Sequence, residues 1–110
     1  MPHHALRLLD GCSPAQLGKI AEAVAGAISI GAPLYNQGSF EACFRIYQGT
    51  ALEVKRSVPA CAGPKSALLD GVKTAAARQS WVDKAWAMRD AFDGLLEVIE
   101  RRFAQGRGHE

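Results

Sequence analysis

The stretch Ile30 to Leu52, IGAPLYNQGSFEACFRIYQGTAL, constrains this chain more than any other. Within it Asn36-Gln37-Gly38-Ser39 sets a helix stop directly before a helix start. Glycine enters the left-handed conformation that ends a helix without a Cβ penalty, and serine is a favoured cap for the next one. Two helices must therefore fold back on each other here. Placed at about 100° per residue, the apolar positions Phe40, Cys43, Ile46, Tyr47, Ala51 and Val54 gather on one face, with Glu41, Arg45, Gln48, Lys55 and Arg56 opposite. That is the pattern of a half-buried helix from Phe40 to Val58, not of a strand. Thr50 falls on the inner face, where its hydroxyl can bond back to a carbonyl one turn earlier.

The spacing of Gly31, Tyr35, Gly38, Phe40, the small Cys43, Tyr47 and Ala51 resembles one tetratricopeptide-like helical hairpin, running from Gly31 to Leu52. The resemblance implies a helical hairpin and a role in protein or peptide binding. Pro33 falls inside the first helix of the hairpin, where its missing N–H and its ring predict a kink.

At 110 residues the chain has room for one core and one domain. Alternating runs of strand formers are missing, alanine is abundant and only 7% of residues are aromatic, so the chain reads as all-α with closely packed helices. Ala5 to Asp10 predicts a short helix ended by Gly11. Ser13-Pro14-Ala15-Gln16 opens the next helix, with Ser13 as cap, Pro14 at the first helical position and Gln16 reaching back as in a capping box. Its inner face is Leu17, Ile20, Val24, Ala27, Ile28 and Gly31. After Val58, PACAGP makes a turn, and the helix from Lys65 to Arg78 turns Leu68, Leu69, Val72 and Ala76 to one side. Ser80 then caps the longest helix. There Trp81, Ala85, Met88, Phe92, Leu95 and Ile99 alternate steps of four and three, the period of a bundle seam. The expected fold is a compact antiparallel four-helix bundle with helices over 14–37, 40–58, 65–78 and 81–104. Residues 1–12 form an N-terminal segment with its short helix, 13–104 the bundle, and 105–110 a flexible tail.

The net charge of +2 is spread among carboxylates on every helix and forms no basic stripe, so nucleic acid is not an expected partner. The N-terminus carries no signal-peptide core, and the weakly charged run Ile20 to Leu34 is interrupted by Glu22 and short for a bilayer. The expectation is a cytoplasmic protein without membrane insertion, or an exported one whose leader has been removed.

Three cysteines without ligand spacing give no zinc signature. His3 and His4, placed to fold toward Cys12 and Cys61, read as terminal histidines, and neither metal nor cofactor is expected. A helical rise of about 1.5 Å per residue puts some 22 Å between Cys43 and Val58, too far for the three residues that follow to return. An antiparallel hairpin instead brings Cys12 and Cys61 to one end of the molecule, which predicts a Cys12–Cys61 disulfide in an oxidising compartment. Cys43 reads as a small core residue.

No nucleophile with a base, phosphate-cradling loop or catalytic carboxylate pair emerges, so an enzyme is not indicated. Two roles fit. One is a protein-interaction or regulatory module, binding a protein partner or itself as a homodimer, with Trp86 and Val98 flanking the apolar face of the last helix as interface residues. The other is a small-molecule or cofactor-binding bundle with an inter-helix pocket near Tyr35, Tyr47, Trp81 and Arg89.

Overall fold

The structure, a computed structural model, describes residues 2–108. His109, which the sequence reading placed in the tail, lies outside them. A 3₁₀ turn, Leu6–Leu9, precedes four helices packed antiparallel: α1 (Pro14–Asn36), α2 (Phe40–Ser57), α3 (Ala62–Ala76) and α4 (Trp81–Gly108). α4 is longer than its pattern predicted and continues through residues 105–108, into the segment read as tail.

α1 begins as its sequence dictates. Ser13 Oγ accepts from the Gln16 backbone N–H while Gln16 Oε1 accepts from the Ser13 N–H, a complete capping box, and Pro14 follows the cap. The Gln16 amide also donates to the Pro59 carbonyl at 2.8 Å, tying the start of α1 to the loop after α2. Pro33 is accommodated inside α1, whose helical assignment runs unbroken to Asn36.

The turn between α1 and α2 closes differently from expectation. Gly38 takes the left-handed conformation, φ 86°. Its N–H bonds the Tyr35 carbonyl and the Ser39 N–H bonds the Leu34 carbonyl, both at 2.9 Å, which is a Schellman closure. Ser39 makes no side-chain cap bond, because closing the first helix holds its backbone at ψ 64°, away from extended cap geometry.

α1 packs on α2 and α3 on α4, while α4 also touches α2, α1 and the 3₁₀ turn. α4 is therefore the central helix, and its buried face is broader than a two-position seam. Ala85, Met88, Phe92, Leu95 and Ile99 are buried as the period predicted, and Val98, Ala91 and Gly94 are buried with them. α3 is rotated from its expected orientation: Ala67, Leu68, Gly71 and Ala75 face inward, Leu69 and Val72 are only partly covered, and Ala76 is exposed. Close approach explains the rotation. A methyl built on Gly71 would stand 2.6 Å from Ala91 Cβ, so the small residues of α3 are what let it lie against α4.

Cys12 and Cys61 are joined by a disulfide, with Cα atoms 4.6 Å apart. It clamps the start of α1 to the start of α3, as the antiparallel topology requires. Cys61 and the preceding Ala60 hold positive φ, 57° and 54°.

α1, longer than the run Ile20 to Leu34, is long and apolar enough by length and composition alone to cross a membrane, a test that the core helix of a bundle also passes. In the bundle it buries Leu17, Ile20, Val24, Ala27 and Gly31, yet only 28% of its most apolar window is buried.

Candidate functional site

The hairpin tip and the first half of α4 enclose a partly open cavity of about 120 Å³. Ala32, Tyr35 and Asn36 line it from the end of α1, Cys43 and Tyr47 from the start of α2, and Ala85, Trp86 and Arg89 from α4. Each wall follows from a local rule. Gly38 ends α1 where Tyr35 and Asn36 can point across the tip. Cys43 and Tyr47 lie one turn apart on the same face of α2, and Trp86 and Arg89 three residues apart on α4.

Tyr47 is the floor. It is 2% exposed and its ring meets Phe92 edge to face, with centroids 5.2 Å apart. It fits because α1 presents Gly31 to the ring. Burial pushes its hydroxyl up to about 12, with the Cys43 thiol adding to the rise and Arg89 opposing it. Burial also pushes the Cys43 thiol upward, against opposing pulls from Tyr47 and Arg89. Both groups are therefore neutral at physiological pH, and Cys43 is an inert core thiol rather than a nucleophile.

Arg89 supplies the charge. Its Nε donates to Asp93 Oδ1 at 3.0 Å, one turn along α4, and both side chains are about two-thirds covered. Burial works against the guanidinium charge, but the Asp93 carboxylate and the Tyr47 hydroxyl outweigh it and hold Arg89 above its ordinary range. Across the mouth, the Trp86 indole N–H donates to the Tyr35 hydroxyl at 2.9 Å, and the two rings stand edge to face at 5.7 Å. Phe40 supports Tyr35 from the side, with centroids 4.8 Å apart.

Three of the four residues expected at a ligand site, Tyr35, Tyr47 and Arg89, thus meet around one cavity. Trp81 does not join them. It lies one helical turn toward the start of α4, 38% exposed, against Phe44 and beneath the Arg45 guanidinium, which stands 5.1 Å from its ring. Of the two expected interface residues, Trp86 is 48% exposed but belongs to the cavity mouth, and Val98 is 0% exposed and offers no surface. Val98 is covered because α4 is surrounded by its neighbours instead of lying at the edge of the bundle. Asn36, which the sequence marks only as part of the helix stop, and Ala32 were not expected at the site. Their signal was adjacency to Tyr35 at a helix end.

His3 Nδ1 lies 3.8 Å from Glu97, and the Arg101 guanidinium bonds the His4 carbonyl, so the N-terminal segment is strapped along α4. Among the described residues no three His, Cys, Asp or Glu side chains are grouped to hold a metal ion.

The chain matches no family model, no curated protein and no solved structure. The likeness of the hairpin to a tetratricopeptide unit therefore has no family match behind it. What stands is an all-helical bundle with four helices.

Proposed function

We propose that this bundle is a binding module for a small organic carboxylate, seated in the cavity at the hairpin tip. The observation that carries the reading is the gathering of Arg89, Tyr47 and Tyr35 around one cavity, whose remaining wall is Asn36, Cys43, Trp86 and two alanines. Apolar walls with a few placed polar groups are what fix and orient a small ligand. The Asp93 ion pair uses Arg89 Nε, and the two terminal nitrogens of a guanidinium can still grip a carboxylate end-on as a fork. The aromatic walls of Tyr35 and Trp86 suit a flat, apolar body. Pockets for drug-sized ligands run to about 300–1,000 Å³, so a cavity of about 120 Å³ selects a small molecule or a single inserted group.

Calorimetric titration with benzoate and with benzamide tests this reading on the wild type and on Arg89→Gln. Benzoate should bind the wild type, benzamide much more weakly, and the variant should lose the difference. Equal heats for the two compounds would reject a carboxylate site.

The disulfide supports an oxidising compartment over the cytoplasmic default. A protein-interaction role rests on apolar side chains exposed elsewhere, Ile30 at 56% and Leu52 at 44%.

A further inference from the structure

We infer that the outer face of the α1–α2 hairpin is an interface for a second copy of this chain, packed antiparallel about a twofold axis that crosses α2 at Gly49. A groove of about 560 Å³ runs along this face, floored by Ala23 and Gly26 of α1 and by Gly49 of α2. A methyl built on Gly26 or on Gly49 meets nothing within 4 Å, so neither glycine is required by packing inside the protomer. Helical glycine is unfavourable, and here it leaves the floor open. The same face carries the exposed Ile30, on a helix whose apolar window is only 28% buried.

The pattern along the groove is self-complementary, and this selects a second copy as the occupant. An antiparallel twofold places each residue of α2 opposite the one equally far from Gly49 on the partner. Arg45 and Glu53, both lining the groove, lie four residues either side of Gly49, so each Arg45 faces the other protomer's Glu53. On α1, Ala23 and Ile30 are placed evenly about Gly26 and Ala27, so the large side chain of one copy covers the small one of the other. Within the protomer Arg45 pairs with Glu41, and Glu53 with Arg56. All four of those side chains are more than half exposed, so the charges can exchange partners across an interface, Arg45 leaving its place over the Trp81 ring to do so. Opposite charges in twofold register fix the orientation of such a contact.

Sedimentation equilibrium over a range of protein concentrations tests the proposal. The wild type is expected to form a concentration-dependent dimer. Gly49→Leu, which adds a side chain where the protomer is open, is expected to raise the dimer Kd about 100-fold or more, as blocking the centre of an interface does. Ile30→Asp, at an exposed position, should act in the same direction. Arg45→Glu should weaken the dimer, and adding Glu53→Arg to it should restore much of the loss. Circular dichroism of each variant establishes that the helices are intact. A wild type that is monomeric at every concentration overturns the proposal, as does a dimer whose Kd is unchanged by both Gly49→Leu and Ile30→Asp.

Discussion

Gly31 of α1 lies against the ring of Tyr47 of α2, so close that a methyl built on the glycine would stand 2.9 Å from the ring carbon bearing the hydroxyl. This contact sets the spacing of the hairpin and puts the Tyr47 hydroxyl at the floor of the cavity. The ring cannot swing aside, being buried and backed by Phe92.

Gly31→Ala should therefore cost about 1–3 kcal/mol through overpacking, although alanine is the better helix former. Gly18→Ala, also in α1 but with nothing within 4 Å of the added methyl, should instead stabilise by about 0.5–1 kcal/mol. Denaturant midpoints of the two variants should move in opposite directions. A shared upward shift would mean that the Gly31–Tyr47 approach is not close.

Removing the disulfide with Cys12→Ala and Cys61→Ala together should cost about 2–4 kcal/mol, since the bond closes a long loop in the unfolded chain. Two consecutive non-glycine residues at positive φ, Ala60 and Cys61, add local strain that the bond holds in place. Denaturant midpoints with and without reductant measure the effect. An oxidised sample that gains no mass of two hydrogens on reduction would show that the bond had not formed.

Alkaline stability reports on Tyr47. Its pKa is raised in the fold to about 12 from an ordinary value of 10.0, so the native state keeps this proton longer than the unfolded chain does. The stabilisation is complete below about pH 10 and is lost as pH rises through about 12, a shift of two units being worth about 2.7 kcal/mol. Tyr47→Phe should remove this contribution to the alkaline loss of stability, and with it an ultraviolet phenolate transition near 12. If the wild type shows no phenolate transition that late, Tyr47 is not buried as described.

Much of this architecture is readable from local rules, since caps and periods are decided within a few residues. Ser13 and Gln16 form the expected capping box, Gly38 stops α1, and the α4 seam is buried in period. The residues that escape such rules depend on what packs against them. α3 turns Gly71 and Ala75 inward in place of Val72 and Ala76 because close approach to Ala91 outweighs side-chain size. Val98 is buried because α4 is central, a property of the whole fold that a single helix does not encode. Tyr35, Tyr47 and Arg89 could be picked out as polar groups on apolar faces. Trp81 and Trp86 differ by little more than one turn, and only the position of the hairpin tip decides that Trp86 takes the cavity.

The two tryptophans permit the most direct test of the cavity. In a proton–nitrogen correlation spectrum each indole N–H gives its own signal, and Trp86, bonded to the Tyr35 hydroxyl, reports on the cavity mouth while Trp81 lies outside it. Titration with benzoate should move the Trp86 signal saturably and leave Trp81 nearly still, and Arg89→Gln should abolish the response. No saturable shift at Trp86, equal shifts at both indoles, or an undiminished shift in Arg89→Gln would contradict a carboxylate site at the hairpin tip.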